Sequence, residues 1–178
     1  MRVVLADAGP LIGLARIERL QLLRDLFTTV WITEVIAAEL GLTEVVSGTV
    51  PSLPGTVLLQ EACDQGWLRV AGPCTLPWAP LNPGVDAGEA SAIGTALQRR
   101  ASGDEVLLVI DDRCGRAEAR CQGLAVIGTA AVLVLAKEQG LVRACGPLLL
   151  ALREQGYYLG DGLIAAVLRQ VGETHGTP

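Results

Sequence analysis

Two apolar runs end on aspartate and lead straight into helical stretches. Val3-Val4-Leu5-Ala6 precedes Asp7, and Val106-Leu107-Leu108-Val109-Ile110 precedes Asp111 and Asp112. A strand that is apolar at successive positions, without alternation, belongs inside a sheet covered on both faces. Further strand-like runs fall at 29–32, 67–70 and 124–127. Between them lie helical patterns at 9–15, 18–27, 57–64, 86–100, 113–122 and 130–139, with two more at 148–154 and 162–171. Thr33 is a candidate N-cap for a helix that carries Glu39, and Gly41 a candidate stop. Residues 42–54 read as a loop, and the four prolines within 72–84 exclude a regular element there. Strands alternating with helices imply parallel crossovers and a doubly wound α/β sheet. The expectation is a single domain over 1–172 with a C-terminal tail at 173–178.

The composition excludes several classes. Of 178 residues, 51% are apolar and 19% charged, which is globular rather than disordered. The mean hydropathy of +0.44 is high, but no apolar run approaches the roughly 18 residues that span a bilayer. A strongly buried sheet, with an apolar dimer face, accounts for it. The N-terminus leads directly into a strand rather than a signal peptide, and a cytoplasmic setting is expected. A net charge of −5 argues against nonspecific binding of duplexes, which needs a basic surface. Six aromatic residues are too few for a base-stacking platform. The five cysteines, Cys63, Cys74, Cys114, Cys121 and Cys145, are odd in number and lack C-x-x-C spacing, so reduced, mostly buried thiols are expected.

Chemistry is therefore sought among the carboxylates. Asp7, Glu39, Glu89, Asp111 and Asp112 sit at strand ends or on helices near them. In an open parallel sheet, ligands gather outside the carboxyl ends of the strands. Several carboxylates converging there would suit Mg²⁺ or Mn²⁺, which prefer oxygen donors. Each acid also has an ordinary role. Asp7 can cap the helix that follows, one of Asp111 and Asp112 can cap the next, and Glu39 can be a solvated last-turn residue. Glu89 and Asp86 have capping-box spacing. Arg116 could contact a phosphate or pair with Glu118, and Thr129 could present a hydroxyl to the site or cap a helix.

The order strand–Asp, helix–Glu, Gly-Glu opening a helix, strand–Asp-Asp and strand–Gly-Thr resembles the PIN-domain family of metal-dependent ribonucleases, most closely an uncharacterised prokaryotic branch. The stretches that carry the resemblance are Asp7-Ala8-Gly9-Pro10-Leu11-Ile12, Gly66-Trp67-Leu68, Gly88-Glu89-Ala90-Ser91-Ala92-Ile93, Leu108-Val109-Ile110-Asp111-Asp112-Arg113, and Gly128-Thr129 with Ala136-Lys137 beyond. They extend over residues 3–168.

The resemblance implies a three-layer α/β/α fold with a mostly parallel sheet. It implies an endoribonuclease with Asp7, Glu39, Glu89 and Asp111 or Asp112 holding Mg²⁺ or Mn²⁺; Arg116 and Thr129 are the candidate substrate contacts from the residues themselves. It further implies an RNA substrate, a homodimer, and the toxin role of toxin–antitoxin pairs with an antitoxin protein as partner. The competing reading is a catalytically inactive PIN-like module that binds protein or nucleic acid. A haloacid-dehalogenase phosphatase built on Asp7 and Lys137 would need an aspartate where this chain has Gly9.

Overall fold

The computed structural model describes residues 2–42 and 55–173. Strands β1 (Arg2–Ala6), β2 (Val30–Ile32), β3 (Leu68–Val70), β4 (Glu105–Val109) and β5 (Ala125–Ile127) form one sheet in the order β3-β2-β1-β4-β5. Every pairing is parallel. Parallel neighbours need crossovers, and these come from α1 (Ala8–Arg16), α2 (Gln21–Phe27), α3 (Glu34–Glu39), α4 (Thr56–Asp64), α5 (Ala87–Ala101) and α6 (Arg113–Cys121). Helices α7 (Thr129–Glu138), α8 (Gly146–Glu154) and α9 (Asp161–Gln170) complete a three-layer α/β/α arrangement.

The core explains the hydropathy. Val3 to Ala6 on β1 and Val106 to Val109 on β4 are all buried, as are Leu11 and Leu14 of α1, Ile36 of α3, Ile93 of α5 and Leu133 of α7. The chain leaves β1 toward β2 and β3, then returns to the other side of β1 for β4 and β5. The switch point therefore lies between β1 and β4. These strands pair in register from Arg2 opposite Glu105 to Ala6 opposite Val109. Asp7 N–H still donates to Val109 O at 3.0 Å, and Ile110 N–H to Ile127 O at 2.9 Å. Asp7 and Asp111 thus leave the sheet along one edge.

Two expectations need correction. The helical stretch at 18–27 begins only at Gln21, because Glu18 takes a left-handed φ of 55° and separates α2 from α1. The thiols are all free, but only Cys145 is buried, while Cys63 and Cys114 are half-buried and Cys74 and Cys121 are exposed. Residues 43–54 of the expected loop, and 174–178 of the expected tail with its lone histidine, lie outside the described residues. No described helix is long and apolar enough to cross a membrane.

Candidate active site

The start of α5 is the meeting point of the acids. Asp86 is its N-cap and forms a capping box with Glu89: Glu89 N–H donates to Asp86 Oδ1 at 2.8 Å, and Asp86 N–H to Glu89 Oε2 at 3.1 Å. This fixes the first turn and presents Gly88 to the neighbouring elements. A Cβ on Gly88 would stand 3.1 Å from Glu39 Oε2, 3.3 Å from Asp86 Oδ1 and 3.4 Å from Asp7 Oδ1. Carboxylates from α3, from the α5 cap and from the end of β1 therefore surround one small volume that a side chain would fill.

Glu39 reaches this place because α3 is pinned to α5. Thr33 caps α3 by accepting from Ile36 N–H at 3.3 Å. The Thr33 hydroxyl also contacts Ser91 Oγ at 2.6 Å, and Ser91 Oγ donates to Gly88 O at 2.7 Å. Asp7 is only 8% exposed and occupies the N-cap position of α1 without making a capping hydrogen bond. Burial pushes its pKa up to about 6, with the Asp86 and Glu39 charges adding to the rise and the Ala8 and Gly9 N–H groups opposing it. Glu39 is raised as well, by burial and by Asp86.

Glu89 is buried at 1% exposure, behind this group. Its Oε1 has no hydrogen-bond partner. Burial pushes its pKa up to about 7, helped by the charges of Asp112, Asp86 and Asp7, while the Asp86 N–H works the other way. The Asp111-Asp112 pair divides its work. Asp112 caps α6, accepting from Cys114 N–H at 2.6 Å and Gly115 N–H at 3.2 Å. Asp111 turns toward β5 and α7, accepting from Thr129 N–H at 2.8 Å and from Thr129 Oγ1 at 2.5 Å. Its Oδ2 also accepts from the Tyr157 hydroxyl.

The structure thus gathers Asp7 and Glu39, adds Asp86 to them, and sets Glu89, Asp111 and Asp112 alongside, each held by protein donors. As the side chains stand, no three or more Asp, Glu, His or Cys residues among those described are grouped to hold a metal ion. The donor chemistry nevertheless fits a hard cation. The donors are all carboxylate oxygens, Glu89 Oε1 is buried and unpartnered, and no ion pair among the described residues engages Asp7, Glu39, Asp86 or Glu89. Uncompensated carboxylates at a buried strand edge are costly until something cationic meets them.

Thr129 is fully buried, and both its N–H and its hydroxyl donate to Asp111. Arg116 is half-buried, and its Nε is buried without a partner. Its Nη1 lies 3.7 Å from the position of a Cβ on Gly128, which would stand 2.6 Å from Asp111 Oδ1. Arg116, Asp111 and Gly128 line a cavity of about 300 Å³ together with residues of α7 and α9. Arg116 does not pair with Glu118, whose buried carboxylate accepts from Asn82 N–H at 3.1 Å and Gln122 Nε2 at 3.0 Å. Lys137 is far in role from the acids: it pairs with Glu173 at 2.7 Å.

A doubly wound parallel sheet with uncompensated carboxylates at its switch point has the features of a nuclease-like fold. A family model described as PIN domain matches residues 3–173, and the chain belongs to the PIN-domain family. No curated protein matches the chain.

Proposed function

We propose that the protein is a metal-dependent endoribonuclease, with Asp7, Glu39, Glu89 and Asp111 holding Mg²⁺ or Mn²⁺ and Asp86 joining them. The observation that carries this reading is the convergence of Asp7, Glu39 and Asp86 on the bare Gly88 with no cationic partner among the described residues. When bound, the cation acidifies a water and screens the charge of the scissile phosphate. The chain supplies the rest. Asp7 and Glu89 give up their protons near neutrality, so cation uptake and proton release are linked. Asp112 acts through its charge on Glu89. Arg116, which lines the same cavity as Asp111, offers the guanidinium that a phosphate needs in an otherwise acidic site. A toxin role with an antitoxin partner, and a homodimer, belong to the same reading; exposed Leu141, Leu150 and Leu163 offer apolar surface for either contact.

Calorimetric titration with Mn²⁺, paired with cleavage of a fluorescent RNA, tests this. The wild type should bind Mn²⁺ and cleave, and Asp7→Asn should lose both while remaining folded. An Asp7→Asn variant that cleaves at the wild-type rate rejects the assignment. The lack of a ready-made metal cluster among the described residues favours one competing reading, a catalytically inactive PIN-like module that binds protein or nucleic acid. A folded wild type that takes up no Mn²⁺ selects that alternative.

A further inference from the structure

Tyr157 lies outside every motif read from the sequence, in the connection between α8 and α9. Its ring packs on α1, where a Cβ on Gly13 would come within 2.7 Å of Cε2 and 3.0 Å of Cδ2. That contact carries the hydroxyl to the edge of the sheet, where it donates to Asp111 Oδ2 and stands 3.4 Å from Thr129 Oγ1. The same hydroxyl is near Asp7: a Cβ on Gly9 would lie 3.7 Å from both Tyr157 Oη and Asp7 Oδ2.

The lone pairs of Asp111 can be counted. A carboxylate oxygen offers two. Oδ2 spends both, on Thr129 Oγ1 and on Tyr157 Oη. Oδ1 spends one, on Thr129 N–H. Oδ1 meets no further donor among the described residues, and it packs closely on Gly128, where a Cβ would stand 2.6 Å away. The hydroxyl therefore decides which oxygen of Asp111 stays available. Packing on Gly13 alone would be served equally well by a phenylalanine.

We propose that Tyr157 is a positioning residue for the hydrolysis: by saturating Asp111 Oδ2 together with Thr129, it leaves Oδ1 as the oxygen that serves the cation or its water. This rests on the metal-dependent reading above. Residues that orient ligating carboxylates typically matter by 10–100-fold in metal affinity or activity. Tyr157→Phe keeps the ring on Gly13 and removes only the hydroxyl. Its Mn²⁺ affinity should fall by about 10–100-fold. Its kcat should fall with it, while KM for a short RNA stays within about twofold, because substrate contacts are untouched. The melting temperature in chelator should match the wild type, which separates positioning from folding.

A spectroscopic readout is also available. The chain has two tyrosines, and Tyr158 is 94% exposed. In a Tyr158→Phe background Tyr157 is the one tyrosine beside three tryptophans, so the tyrosine component that Tyr157→Phe removes from the near-ultraviolet Mn²⁺ difference spectrum reports on it. A Tyr157→Phe variant that binds Mn²⁺ as tightly as a wild type that does bind it overturns this inference and leaves the nuclease reading standing. A wild type that binds no Mn²⁺ overturns both.

Discussion

The carboxyl group of Glu89 rests on the bare Cα of Gly115: a Cβ there would stand 2.4 Å from Oε1 and 2.6 Å from Cδ. The contact joins the first turn of α5 to the first turn of α6 and leaves no room for Glu89 to swing aside, since its Oε2 is engaged by Asp86 N–H. Gly115→Ala should therefore lower stability. Helix propensity favours alanine by about 1 kcal/mol, but overpacking a buried, hydrogen-bonded acid costs about 1–3 kcal/mol. Urea denaturation reads the balance. Glu89→Ala empties the space the new methyl needs, so the double variant should be more stable than the sum of the two single changes implies. Simple additivity would mean the carboxyl group moves away freely.

Stability of the metal-free protein should fall as pH rises. Asp7 and Glu89 have folded-state pKa values raised to about 6 and about 7, above those of the unfolded chain. Between roughly pH 4 and 7 the folded state therefore holds more protons than the unfolded state, which makes the slope of stability against pH negative. The contribution is fully present only below the unfolded-state values and is lost as pH climbs through 6 and 7. Each pKa unit corresponds to about 1.4 kcal/mol, so the two groups together account for a few kcal/mol. Thermal melts in chelator from pH 5 to 8 should show the decline, and Mn²⁺ should reverse it at pH 8, where the acids are ionised. A melting temperature that rises steadily over this range would contradict the assignment of burial as the dominant cause.

Neutralising Asp7 should exchange function for stability. Its charge is buried beside Glu39 and Asp86 without an ion-pair partner among the described residues. Asp7→Asn keeps the shape and removes the repulsion, so at pH 8 the metal-free variant should be more stable than the wild type by about 1–3 kcal/mol. Mn²⁺ should raise the melting temperature of the wild type and leave that of the variant unchanged. A destabilised Asp7→Asn would mean that the carboxylate is a structural cap after all.

Much of this geometry was legible in the chain because it is encoded locally. The buried strands β1 and β4 announce themselves by runs with no polar residue, and the acids that end them fall on the sheet edge by the register of Ala6 opposite Val109. The capping box of Asp86 and Glu89 was equally readable from its spacing. What escaped depends on distant partners. Asp86 looked like a cap and nothing more, because its second role requires α3 to bring Glu39 to Gly88 through the Thr33 and Ser91 hydroxyls. Tyr157 carries no local signal, standing 46 residues from the acid it contacts. Glu118 resembled a helix-face partner for Arg116, yet the Pro-rich segment delivers Asn82 N–H to it instead. The choice between Asp111 and Asp112 also needed the fold, since either could have capped α6.

Gly88 separates the fold from the site most cleanly. It lies in the first turn of α5 and is buried, with only carboxylate oxygens within 3.4 Å of where a Cβ would stand. Alanine gains about 1 kcal/mol of helix propensity there. Its methyl group would press on Glu39 Oε2 at 3.1 Å, and that oxygen belongs to the free end of an exposed side chain that can retreat toward solvent. Gly88→Ala should therefore fold with stability within about 1 kcal/mol of the wild type. The retreat of Glu39 opens the carboxylate group, and the methyl occupies the volume on which the acids converge. Mn²⁺ affinity should drop by at least about tenfold, as expected when a carboxylate loses its place. Calorimetry on the folded variant measures this directly. Undiminished Mn²⁺ binding by Gly88→Ala would place any cation elsewhere on the sheet edge, nearer Asp111 than Asp7.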